Sequence, residues 1–143
     1  MLWKHANVEA RIWPNDHCPP HVTLVCRADF WTARMAFSMV DSTVSLIDVK
    51  PLKNAPSLAL LDLLAHQLAD HQQLCRDVWW RLQATVCLDN KRVVRCGPAA
   101  VKLGMAAKPV GTVVAGSGVY AAGKVSATVI WPTGLITRDV VEG

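Results

Sequence analysis

Within six residues the chain places a carboxylate, two imidazoles and a thiol, in Asp16-His17-Cys18-Pro19-Pro20-His21. All three group types are ligands for zinc and similar divalent metals. The two prolines stiffen the loop and so reduce the entropy lost on ordering it. Asp16, His17, Cys18 and His21 are therefore the metal-ligand candidates, with zinc the ion such a set would take. Cys26, His66 or His71 would have to complete it. No other cofactor is expected. A plainer reading also fits, in which the histidines hydrogen-bond backbone groups at a strand entrance. His66 and Asp70 stand i,i+4 on a helix, the spacing of a hydrogen-bonded general-base pair, but no nucleophile of defined position accompanies them.

Three further patterns bear on binding. Lys91-Arg92-Val93-Val94-Arg95 is the one tight basic cluster, and Lys91, Arg92 and Arg95 are the candidates for contact with an acidic partner, nucleic acid included. Trp3 and Trp13 fall on the polar parity of the first alternating segment, so they are candidates for an exposed contact patch. Gly118-Val119-Tyr120-Ala121-Ala122-Gly123-Lys124 has the frame of a phosphate-binding loop, and Gly116-Ser117-Gly118 imitates the start of a dinucleotide fingerprint. Both motifs need a helix next, whereas Val125 to Trp131 is β-branched and alternating, which favours glycine turns.

The elements that must position these residues follow from composition and periodicity. A chain of 143 residues with 52% hydrophobic and 18% charged residues can bury a core and is too apolar to be disordered. Its longest apolar runs fall far short of a membrane span, and Met1-Leu2-Trp3-Lys4-His5 lacks the apolar region of an export signal. Five cysteines without a shared spacing then read as reduced thiols, and the expected location is cytoplasmic, or virion for a phage component.

All eight glycines lie at or after Gly97. Residues 91–143 carry seven basic and two acidic side chains, against eight and nine in residues 1–90. Two differently built parts are expected, 1–90 and 91–143. In the first, alternation predicts strands over 6–12, 22–26, 31–39 and 43–49. Ser57 as N-cap and Leu61, Leu64, Leu68, Cys75, Val78 and Leu82 predict one long helix over residues 57–84. The second part reads as short strands between glycine turns. The expected fold class is α+β: an antiparallel β-meander covered by one long α-helix, with a C-terminal β-rich appendage.

The run Trp13-Pro14-Asn15-Asp16-His17-Cys18-Pro19-Pro20-His21-Val22-Thr23, with His66, His71, Leu74 and Trp79 on the following helix, resembles the small bacterial domain of unknown function 4160 over roughly residues 5–83. That family typically shows a His-x-Pro-Pro-His-x-His run, and Thr23 replaces its last histidine, which weakens a three-histidine metal site carried over from it. Its members are small, often encoded on mobile elements, and have no established activity. The resemblance thus implies a bacterial or prophage setting. The expected function is a non-enzymatic binding or assembly protein, as a phage structural component or a small-operon regulatory partner. Partners would be a second copy, through unprotected strand edges, or another protein. The competing readings are a metal-assisted hydrolase or nuclease using His17 and His21, and a nucleic-acid-binding module using the basic second part.

Overall fold

The computed structural model describes Met1–Gly143. The chain forms two compact units, Met1–Ser38 with Ser42–Gln83, and Met39–Asp41 with Ala84–Gly143.

The first unit holds strands β1 (Trp3–His5), β2 (Val8–Arg11), β3 (His21–Cys26), β4 (Trp31–Phe37) and β5 (Val44–Lys50), paired antiparallel in chain order. Alternation sorts β2 to β4 cleanly. Val8, Ala10, Val22, Leu24, Cys26, Trp31, Ala33, Met35 and Phe37 are buried, while Glu9, Thr23, Thr32 and Arg34 between them are only half-buried. The single strand expected over 6–12 is instead a hairpin, because Ala6 takes a left-handed φ of 48° and turns the chain back. Strand β5 forms one edge. A bulge leaves Ile47 unpaired opposite Arg34 and Met35, and Asp48, Lys50 and Pro51 further blunt that edge.

The long helix is not formed. Two short helices, α1 (Leu58–Asp70) and α2 (Gln72–Gln83), stand in its place. The Ser57 hydroxyl accepts the Leu60 N–H at 3.1 Å and caps α1. The break is at His71, whose backbone N–H is shared between the Gln67 and Leu68 carbonyls, at φ −102° and ψ 15°. Its ring Nδ1–H donates to the same Gln67 carbonyl at 2.8 Å, and its ring stacks on Trp3 with centroids 4.6 Å apart. A side chain competing for its own helix carbonyl and held by an outside partner interrupts the ladder without disturbing the apolar period. Leu61, Leu64, Leu68, Cys75 and Trp79 are all buried.

The second unit has strands β6 (Arg92–Gly97), β7 (Ala100–Leu103), β8 (Val110–Val113), β9 (Val119–Ala121), β10 (Lys124–Ile130) and β11 (Ile136–Glu142). They run in the order β11-β7-β6-β8-β10-β9, and β11 also pairs with β10, so β7, β6, β8, β10 and β11 close into a ring. The pairs are antiparallel except β7 with β11, which is parallel. Val93, Val101, Val113, Val125, Ala127, Val129 and Val141 fill the interior. Gly111 lies against this core, where an added Cβ would meet Val129 Cγ1 at 2.5 Å and the Trp131 ring at 3.1 Å.

These findings correct the expected α+β class. With 41% of residues in strands and 20% helical, the protein is mostly β, and what reads as an appendage is a closed barrel. Within the barrel sheet the three-residue β9 is the one strand with a single neighbour, while β1 and β5 are the two edges of the first sheet. No helix is long and apolar enough to cross a membrane.

Candidate functional site

The His loop, between β2 and β3, is ordered by its own carboxylate. Asp16 Oδ2 accepts the Trp13 N–H at 2.8 Å, and the Asp16 N–H returns to the Trp13 carbonyl at 3.2 Å. His21 is buried against the Trp79 ring, tilted 58° to it with centroids 5.6 Å apart. Its Nδ1–H donates to the Pro19 carbonyl at 2.9 Å, which leaves Nε2 facing Asp16 Oδ1 at 3.6 Å. Asp16, Pro19 and His21, with Asn15, His17, Cys18, Arg34 and Ile47, line a cavity of about 420 Å³. Asp48 fixes Arg34 there by a two-pronged ion pair at 2.5 and 3.1 Å. The guanidinium in turn holds the Asp48 carboxyl below the usual carboxylate range.

This arrangement does not bring the four metal-ligand candidates to one point. Asp16 and His21 meet, but His17 is exposed, and Cys18 is disulfide-bonded, as is Cys87, so neither is a thiolate. No group of three or more His, Cys, Asp or Glu side chains gathers around one point, and a zinc site draws at least three protein ligands. Cys26, Cys75 and Cys96 are the free thiols. Burial pushes the Cys75 thiol up to about 12. On the helices, His66 Nδ1–H turns to the Asp62 carbonyl at 2.8 Å rather than towards Asp70.

The other sequence candidates are dispersed. Trp3 is half-buried against His71, while Trp13 is 38% exposed and lies beyond the far end of β2, its carbonyl accepting from Gln83 Nε2 at 2.6 Å. Lys91 and Arg92 are exposed, and Arg92 Nη1 donates to Thr112 Oγ1 at 2.7 Å. Arg95 is three residues further along the same strand, hence on its opposite face, so the basic cluster is split by the pleat. The phosphate-loop frame is a hairpin: Ala122 at φ 53° and Gly123 at φ 77° make the two-residue turn between β9 and β10.

Two sites stand out that the sequence did not single out. One is at the tip of the β3–β4 hairpin. Phe30 ends the turn after Arg27, Ala28 and Asp29 with φ 56°, a left-handed conformation suited to Gly or Asn, and it is 76% exposed. The turn is pinned where the Asn54 amide donates to the Phe30 carbonyl at 2.8 Å and the Cys26 thiol to Asp29 at 3.7 Å. Val25, Cys26, Arg27, Phe30, Trp31, Thr32, Lys50 and Pro51 line an open, largely apolar groove of about 480 Å³, and Leu52 beyond it is exposed. Arg27 and Lys50 are its ionic side chains.

The second is the mouth of the barrel. Asp139, 3% exposed, lies beside Ala127 on the inward face. Arg95 Nη1 and the Thr137 hydroxyl, the latter at 2.5 Å, both donate to its carboxylate. The Thr137 oxygen accepts the Trp131 Nε1–H at 2.8 Å, and the Arg95 guanidinium lies 4.7 Å from the Trp131 ring centroid. The inward parity of Thr137, Asp139 and Val141 is the sequence signal for a buried Asp139. No local signal marks the left-handed backbone at Phe30. No family model, curated protein or solved structure matches the chain.

Proposed function

We propose that the protein is a non-enzymatic binding protein whose hairpin-tip groove takes an apolar segment of a partner protein. The observation that carries this reading is Phe30. A bulky aromatic in left-handed backbone costs about 1–2 kcal/mol, and an exposed ring recovers little of that by packing. Ala6 and Ala122 take the same backbone in plain turns, but Phe30 is the one aromatic that does so, and strain at a bulky residue clusters at functional sites. The groove beside it supplies apolar wall from Val25, Trp31 and Pro51, the composition of an interaction surface. Arg27 and Lys50 select for a segment that also carries a carboxylate.

Display of a random peptide library on the intact protein tests this. The wild type should enrich sequences with a large apolar residue beside Asp or Glu, and Phe30→Asn, which suits the backbone but removes the ring, should lose that enrichment. Absence of a consensus, or the same consensus on both proteins, refutes the reading.

A further inference from the structure

The barrel mouth has the construction of a small ligand site. Arg95, Pro109, Trp131, Pro132, Thr133 and Leu135 line a cavity of about 280 Å³ there. Its rim is pre-formed: the Trp131 N–H donates to the Leu135 carbonyl at 2.9 Å, and the Gly134 N–H to the Trp131 carbonyl at 2.8 Å, with Gly134 at φ 87° supplying the turn. Behind the rim, Arg95 is fixed twice, by the Trp131 face and by buried Asp139, which Thr137 holds from the other side. Only Nη1 of the guanidinium is used within the protein. Nε and Nη2 have no protein partner, and the side chain is 35% exposed. A guanidinium immobilised in this way keeps a fork of donors for a planar anion without the entropy cost of ordering a free arginine.

We propose that this mouth binds a carboxylate attached to a short apolar body. The charge balance chooses the anion. Asp139 already neutralises much of Arg95, and no other cation lines the cavity, so a phosphate dianion would face the Asp139 carboxylate with too little positive charge to offset it. A monoanionic carboxylate matches the two remaining donors. The walls choose the body, since Pro109, Pro132, Leu135 and the Trp131 ring leave an apolar space with room for one branched side chain. Two sources carry this chemistry, a free monocarboxylic acid and the C-terminal residue of a polypeptide.

The test is a titration of the intact, ¹⁵N-labelled protein followed at the Trp131 indole N–H, identified by its loss in Trp131→Phe. The probes are 4-methylpentanoate, its neutral amide, inorganic phosphate, and a short peptide ending in leucine with a free or an amidated terminus. The acid should give a saturable shift. The amide and phosphate should each bind at least about tenfold more weakly, the loss expected when a charge-assisted hydrogen-bonded pair is missing. Leu135→Glu places a like charge at a rim position that is 60% exposed, where folding tolerates it, and should weaken the acid by about tenfold. Arg95→Lys keeps the charge but not the fork, and should also weaken it. Tighter binding of the free-terminus peptide than of the acid assigns the site to chain termini; the reverse order assigns it to small acids. No saturable shift, equal binding of the amide, phosphate as good as the acid, or indifference to Leu135→Glu overturns the proposal.

Discussion

Replacing Arg95 with methionine isolates what the barrel-mouth pair contributes to stability. Asp139 is almost wholly buried and would be left with one donor, Thr137. Removing one partner of a buried ion pair costs roughly 3–5 kcal/mol. Arg95 is partly exposed, so water can reach the space it vacates, which brings the expected loss to about 2–3 kcal/mol. The double variant Arg95→Met/Asp139→Leu removes the stranded charge as well. Only the Thr137 hydroxyl then lacks an acceptor, a cost of about 1 kcal/mol. Native-state hydrogen exchange at the amides of β10 and β11 reads these values within the barrel. About 2–3 kcal/mol corresponds to about 30- to 160-fold faster exchange at amides that open with the whole unit. The reasoning fails if Arg95→Met accelerates exchange less than about threefold, or if the double variant is no better than the single one.

Three further outcomes are expected. With iodoacetamide at pH 8 the native protein should take up label slowly at Cys96 and not at Cys75. Desolvation and then the Glu142 carboxylate raise the Cys96 thiol, and burial raises Cys75 further; Glu142→Gln should speed the Cys96 adduct seen by mass spectrometry. Because Arg34 depresses the folded-state Asp48 carboxyl, the pair stabilises fully above the unfolded carboxylate range and loses that contribution as pH falls through the folded value. Urea midpoints should therefore drop less steeply below about pH 4 in Arg34→Gln than in the wild type, and parallel curves would contradict this. Phe30→Asn should hold or raise the urea midpoint, where truncating a buried Phe costs about 3–5 kcal/mol.

The legible parts of this fold were those fixed by local alternation. Val22, Leu24 and Cys26, and Trp31, Ala33, Met35 and Phe37, announce β3 and β4 because each buries every second residue. The interrupted helix was hidden for a physical reason: a break at His71 that keeps Leu68 and Cys75 on the same buried side leaves the period intact. Barrel closure was hidden because its seam pairs β7 with β11 in parallel, and nothing near residue 100 refers to residue 140. At the sites, Arg92 and Arg95 are close in sequence yet on opposite faces, a consequence of strand parity. His21 and Asp16 do meet, each anchored by a hydrogen bond to the loop backbone. Phe30 was invisible because backbone handedness has no composition.

Closing the hoop gives its last stave two obligations. Residues 136–142 bond to β10 along one side and to β7 along the other, the latter joining positions about 40 residues apart. During synthesis the cylinder cannot shut until that stave has left the ribosome. Until then two raw seams, one bordered by Lys124–Ile130, are open to any neighbouring nascent chain. A truncation before Ile136 would fix that hazard permanently, turning a self-contained hoop into an adhesive half-pipe.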